Sequence, residues 1–441
     1  MKKSTINKGL LVKILFPALL LFILYVFFSD GIFADPFEPA ATIVQATPIP
    51  SPVTTPAPSP SPTAEPTPTP EPTPEPFQEY DIKLMALGDN LMHMNVINTG
   101  KQKDGSYDFS FLYEDLREFI DLADIRVTNQ ETILGGNSLG FSDYPKFNSP
   151  TEIGDAIAAA GFNVVLHATN HAFDKGLEGI VHCADFWSRY PEVLMVGISG
   201  EEPGPQIPLL TIGDITFAVL NYTYGPNLPT LPSDLRGHLN MLCDYDQDTG
   251  AINFTRLNPQ VVEDIKEAKQ LADVVLVFPH WGTEYTTSPS KYQKIFAYEI
   301  AEAGADLIIG THPHAPQPVE WITTEDGRQT LCFYSLGNYV SGQNRFICML
   351  EELAWVTFHV TEDRIYIDAE RSGALPLVCH YRKSSMYVEG VYPLEDYTEE
   401  QALQHGILYV YDIPFHLEDL QTTAQEVLGD SLLSKSDILA P

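Results

Sequence analysis

The stretch Ile82-Lys83-Leu84-Met85-Ala86-Leu87-Gly88-Asp89-Asn90-Leu91-Met92-His93 decides the fold: an apolar, strand-like run that ends in a polar cluster. The same pattern recurs along the chain. Ile125–Val127 leads to Asn129-Gln130-Glu131, and Val164–Leu166 leads to Thr169-Asn170-His171. Val274–Phe278 leads to His280-Trp281-Gly282, Leu307–Ile309 to Thr311-His312-Pro313-His314, and Leu331–Phe333 to Ser335-Leu336-Gly337-Asn338. In α/β sheets, loops at the carboxyl ends of strands gather side chains from distant parts of the sequence into one site. Read singly, His280 at a strand end is more often a hydrogen-bonded core residue than a ligand, and Asn170-His171 also reads as a simple turn. His312 and His314 stand two apart around a proline, so one backbone turn can aim both inward. It is the conjunction that predicts a site.

The residue types narrow its chemistry. Imidazole, carboxylate and the Asn carbonyl suit borderline and hard divalent ions such as Zn, Mn or Fe, and thiolate is missing from every cluster. The number of candidate ligands allows one ion or two. Paired ions about 3.5–4 Å apart are the usual machinery of phosphoester hydrolysis.

Between the strand-like runs lie helical windows, Ser110–Ala123, Thr151–Ala160, Pro259–Ala272 and Lys291–Ala303. Glycine marks the way out of two of them, at Gly161 and Gly304. Such alternation over Asp81 to about Val360 predicts an α/β domain with a largely parallel sheet covered by helices. Leu209–Leu220, broken at Gly213-Asp214, reads as a hairpin, which predicts a mixed or second sheet. Trp355–His359 and Arg364–Ile367 read as a further hairpin in that second sheet. Beyond Tyr381, short helical windows such as Glu399–His405 and Leu417–Leu428 carry no evident chemistry and read as a cap.

With these clusters quoted, the chain resembles the CapA family of capsule-synthesis proteins linked to poly-γ-glutamate, a branch of the calcineurin-like metallophosphoesterases. The matching text is Leu87–His93, Asn129–Thr132, Ala168–Gly176, His280–Tyr285, Gly310–His314 and Tyr334–Tyr339, in the family's order over roughly residues 80–345. The resemblance implies a two-sheet sandwich flanked by helices. It also implies that Asp89, Glu131, Asn170, His280, His312 and His314 bind one or two divalent ions, with His93 and Asn338 as possible additions. His171, which follows the metal-binding Asn, would steady the transition state or protonate the leaving group. Two departures bear on the ion count. Metallophosphoesterases open with Asp-x-His, whereas Asn90-Leu91 follow Asp89 here, and Glu131 stands where a bridging Asp is usual.

Outward from this domain, Lys2, Lys3 and Lys8 precede an apolar run from Gly9 to Phe28 interrupted only by Lys13. About 20 residues suffice to cross a hydrocarbon core, and the basic flank predicts a cytoplasmic tail with all later residues outside. A cleaved signal peptide ending at Ala34 is the competing reading. From Pro48 to Pro76, 13 of 29 residues are proline. Such a stretch favours extended polyproline II and reaches about 90 Å. The expected domains are an anchor at 1–34, a Pro-rich extracellular linker at 35–79, a metallophosphoesterase-like domain at 80–345 and a completing hairpin and cap at 346–441.

The formal net charge is −34, which excludes a basic nucleic-acid footprint. It also disfavours an anionic polymer as ligand, unless metals and lysines such as Lys146, Lys175 and Lys291 supply positive potential. Five cysteines without CxxC spacing permit at most two disulfides, and Cys332, inside an apolar run, reads as a buried small hydrophobe. The expected function is a membrane-anchored extracellular protein of capsule or poly-γ-glutamate biosynthesis with a metal-dependent hydrolase-like site. The alternative is a non-catalytic assembly or export component that binds polymer at that site. Expected partners are the cell membrane, an anionic polymer or phosphoester, and other polymer-synthesis membrane proteins.

Overall fold

A computed structural model describes residues 77–201 and 207–439. The expected membrane anchor, its signal-peptide alternative and the proline-rich stretch up to Pro76 lie outside the described residues. Among those described, no helix is long and apolar enough to cross a membrane.

The chain first lays down β1 (Tyr80–Asn90), β2 (Ile125–Asn129), β3 (Val164–Leu166) and β4 (Leu194–Val196), which pair in parallel in that order. A hairpin of β5 (Leu209–Ile212) and β6 (Ile215–Thr223) then starts a second sheet, as the Gly213-Asp214 turn predicts. β7 (Cys243–Tyr245) and β8 (Ile252–Leu257) form a separate small pair. β9 (Val274–His280) and β10 (Leu307–Ile309) continue the second sheet in parallel, and β11 (Pro316–Thr323) with β12 (Gln329–Leu336) closes it. β13 (Asn338–Val340), β14 (Leu350–Val360), β15 (Ile365–Ile367), β16 (Gly373–Tyr381) and β17 (Val388–Pro393) return to the first.

Among the described residues the first sheet runs β17-β16-β14-β1-β2-β3-β4, and the second β11-β12-β10-β9-β6-β5. The first is antiparallel from β17 to β1 and parallel from β1 to β4, and the second is parallel at its centre and antiparallel at both edges, so the largely parallel sheet expected from the alternation is in fact two mixed sheets. The Trp355–Ile367 hairpin also departs from expectation. β14 joins the first sheet, antiparallel to β1 from Tyr80↔Val360 to Ala86↔Ala354. Its residues are buried on both faces, a demand that a central position meets and an edge does not.

Alternation of side chains stacks the two sheets. Ile82, Leu84 and Ala86 of β1 face Phe217 and Val219 of β6 and Leu276 and Phe278 of β9 in one inter-sheet core. The intervening Val275 and Val277 turn outward to the helices Pro259–Leu271 and Lys291–Ala303 through Ile265, Phe296 and Ile300. On the far side of the first sheet, Met85 and Leu87 pack among the helices Glu152–Ala160 and Gly176–Trp187. The layers are therefore helix, sheet, sheet, helix. All five cysteines are buried free thiols, Cys332 among them.

Candidate metal centre

Each polar cluster sits at the carboxyl end of a strand, and β1 and β9 run further into their clusters than their apolar runs suggest. β1 continues through Asp89, and β9 continues to His280. Parallel register then brings side chains together. Asp89 lies beside Asn129 of β2 on one side and Asn338 of β13 on the other, and Thr311 bridges to His280. The approach of β13 is close: a Cβ on Gly88 would lie 2.1 Å from the carbonyl oxygen of Gly337, so only glycine fits before Asp89. After β10, His312 and His314 adopt left-handed φ values of 97° and 54°. Imidazole-bearing residues held in that region mark a strained loop of the kind found at functional sites.

Asp89 is buried and well tethered. Asn129 Nδ2 donates to its Oδ1 at 2.7 Å, and the His312 backbone N–H donates to its Oδ2 at 3.2 Å. His314 Nδ1 lies 3.0 Å from that same oxygen and 3.0 Å from Asn338 Oδ1. His280 is fixed through Nδ1 by the Thr311 hydroxyl at 2.9 Å, and its Nε2 meets Asn170 Oδ1 at 2.9 Å. Glu131 sits between these histidines, with Oε1 3.7 Å from His280 Nε2 and Oε2 3.7 Å from His314 Nδ1. Those separations are too long for hydrogen bonds, and neither Glu131 oxygen has a hydrogen-bond partner. Nδ1 of buried His312 likewise has none.

Two fully buried groups result, Glu131/His280/His312 and Asp89/Glu131/His314. Within each, the ligand atoms lie within 4.8 Å of one another. Glu131 belongs to both. Buried polar atoms without partners are costly, and a divalent ion satisfies them here with N and O donors of the right kind. The residues present therefore fit a divalent metal. Asn170 Oδ1 points at the first group through its contact with His280, whereas Asn338 orients His314 and spends its amide on Ser341 and Gln343. His93 joins neither group. It starts the helix Met94–Gly100, and its Nδ1 accepts the Gly342 backbone N–H at 2.9 Å.

Burial pushes His280 and His312 well below the usual imidazole range, which leaves them neutral and able to ligate. Burial also acts against charge on His314, but Glu131 and Asp89 beside it outweigh that and raise it to about 9. Burial lifts Glu131 well above the carboxylate range, with His314 opposing and Asp89 reinforcing.

His171 stands beside these groups and in neither of them. Its Nδ1 is 2.7 Å from Asp174 Oδ2, and that oxygen also accepts the Phe147 backbone N–H at 2.7 Å. The Phe147 ring meets the imidazole edge-on at 4.7 Å. Held this way, His171 borders an open cleft of about 480 Å³ together with Tyr144, Lys146, Phe173, Asn227 and Glu284. Of the three lysines expected near the site, Lys146 lines this cleft. Asp174 and Glu284 lay within the quoted motifs without a role. The spacing of Asp174, three residues beyond His171, is the signal that could have marked it as an orienting carboxylate.

Two facing mixed sheets with carboxylate, amide and imidazole groups at the strand ends define a protein of the metallophosphoesterase-like superfamily. Within it, residues 83–343 match the family of bacterial capsule synthesis proteins PGA_cap, and the chain belongs to that family. It is 31% identical over 184 residues to the PGA biosynthesis protein CapA of Bacillus subtilis (strain 168), covering 41% of this chain and 43% of that protein. It is 27% identical over 243 residues to the capsule biosynthesis protein CapA of Bacillus anthracis, covering 53% and 54%. The chain thus spans about half the length of the curated relatives it matches. A crystal structure of a hypothetical protein from Thermus thermophilus aligns with 65% of this chain and 99% of its own at 14% identity. Its TM-score of 0.35 is too low to bear on the fold.

Proposed function

We propose that this protein serves the synthesis of an anionic capsule polymer of the poly-γ-glutamate type, through a divalent-metal site of hydrolase character. One observation carries the reading: a chain of the capsule synthesis family brings buried, unpartnered Glu131 and His312 atoms together with His280, Asp89 and His314. Asp89, Glu131, Asn170, His280, His312 and His314 would hold the ion or ions, of the Mn, Zn or Fe type. A bound divalent ion supplies Lewis-acid polarisation of the bond to be cleaved.

The chain's own residues do the rest. Asp174 accepts from Nδ1–H of His171 and so fixes which nitrogen faces the cleft. In the imidazolium form, Nε2–H then faces the cleft and can give its proton to a leaving oxygen or nitrogen, which leaves the ring neutral with Nδ1–H still on Asp174. Lys146 draws the anionic substrate into the cleft. On this reading the Gly9–Phe28 run anchors the chain once, the Pro48–Pro76 stretch is an exposed stalk, and the domain works outside the cell beside other polymer-synthesis membrane proteins.

The test takes the full-length chain in detergent, with metal content by elemental analysis and turnover of phosphodiester and γ-glutamyl oligomer substrates. Bound metal with metal-dependent turnover supports the reading. Bound metal and no turnover on either class makes the site a polymer-binding one, and no bound metal overturns it. Protease added to intact cells should release a fragment starting between Pro48 and Tyr80. A domain protected until cells are broken would overturn the outward orientation.

A further inference from the structure

The loop after β9 carries an acidic residue that the centre described above leaves unused. Glu284 is exposed, yet a carboxylate oxygen of it lies within 4.8 Å of ligand atoms of His312 and His314. Those two histidines belong to different groups, which Glu131 joins from the buried side. Glu284 reaches one imidazole of each from the cleft, which it also lines.

The loop is built to keep it there. The Tyr285 backbone N–H donates to the carbonyl of Pro313, the residue between the two histidines, at 2.7 Å. Tyr285 itself holds a left-handed φ of 63°, a conformation that a bulky side chain adopts only when its surroundings impose it. Those surroundings are evident: the Arg345 guanidinium lies 4.1 Å over its ring, and Gln343 Nε2 donates to its hydroxyl at 3.2 Å. An independent sign of a missing partner is His312, whose buried Nδ1 has no hydrogen bond. A solvated loop carboxylate needs none of this scaffolding. A negative side chain in the mouth of an anion-binding cleft is also a liability unless a cation neutralises it.

We propose that Glu284 is a displaceable carboxylate ligand that closes the metal centre from the cleft side, in the position a substrate oxyanion takes on binding. This rests on the metal reading above and adds one ligand to it. The position then alternates between Glu284 in the resting protein and an anionic group of the substrate, which makes Glu284 a determinant of affinity for both metal and anion.

The experiment compares the full-length chain with Glu284→Gln and His312→Ala by calorimetric titration with Mn²⁺, and then titrates each Mn²⁺-loaded protein with inorganic phosphate. An outer-shell partner already costs about 10–100-fold in metal affinity, so Glu284→Gln should weaken Mn²⁺ binding on the order of tenfold and tighten phosphate binding. His312→Ala should weaken Mn²⁺ binding further and lose the ion of the Glu131/His280/His312 group. Wild-type Mn²⁺ affinity in Glu284→Gln, with Mn²⁺ binding weakened in His312→Ala, overturns this proposal and leaves the centre standing. Wild-type Mn²⁺ affinity and stoichiometry in His312→Ala overturn both.

Discussion

β1 carries two aspartates in opposite circumstances. Asp81, near its amino end, is fully paired: Arg371 Nη2 donates to Oδ1 at 3.1 Å, and His359 Nδ1 lies 2.7 Å from the same oxygen. Asp89, near its carboxyl end, is buried next to Glu131, whose oxygens have no hydrogen bond at all. Both ends gather acid and histidine, so residue type alone does not tell them apart. The difference is satisfaction. A cluster whose donors and acceptors balance needs nothing further and holds two strands together. A buried cluster of carboxylates and imidazoles with acceptors left over is instead suited to take up a cation.

The comparison breaks most decisively at Glu131. Glu131→Gln should lower divalent-metal affinity by more than the roughly 100-fold ceiling of outer-shell changes, measured by calorimetric titration. Near-normal binding would show that the unsatisfied end holds no ion. Next, His171→Ala should cost turnover about 10²–10⁴-fold while metal content stays unchanged. Loss of metal in that variant would make His171 a ligand and not a proton donor. At the satisfied end the effects shrink. Asp81→Asn should leave metal binding untouched and reduce stability by about 1 kcal/mol, because Arg371 is partly exposed and solvent screens the pair. Denaturant unfolding measures it.

The smallest effect is the pH dependence of that last difference. The Arg371 hydrogen bonds hold the Asp81 carboxyl below its ordinary 3.8, so its contribution is full above 3.8 and fades as pH falls through the lower folded value. The hydrogen bond to Asp81 raises His359 above its ordinary 6.5, so its contribution is full below 6.5 and fades as pH rises through the higher folded value. The stability gap between wild type and Asp81→Asn should therefore be widest between pH 3.8 and 6.5. A gap that stays flat from pH 6.5 toward alkaline pH would mean that His359 takes no part.

The strand ends were legible because a period of apolar residues followed by a polar cluster is a local signal, and β3 and β10 fall on the runs Val164–Leu166 and Leu307–Ile309. The helices Pro259–Leu271 and Lys291–Ala303 were legible for the same reason, with Asn258 and Ser290 capping them. β14 was harder to read. Glu351 and Glu352 open it, and buried carboxylates at a strand start look like a loop in a linear reading. The helix Gly176–Trp187 was hidden by Gly176 and Gly179, which depress helix propensity, although tertiary packing of Ile180, Cys183 and Phe186 sustains it. In the site, the residue types were visible in the motifs. Which of them lack partners was not, because that depends on distances between residues far apart in sequence, such as Glu131 and His280.

The placement of β14 has a consequence for timing. Synthesis proceeds from the amino end, and β1 is among the first strands made, yet Tyr80 pairs with Val360. Until residues 350–360 exist, β1 lacks its neighbour on that side and the first sheet is open through its middle. Contacts this far apart in sequence form slowly. The nascent domain therefore stays unfinished, with an unpaired strand in need of protection, until most of its length has been made.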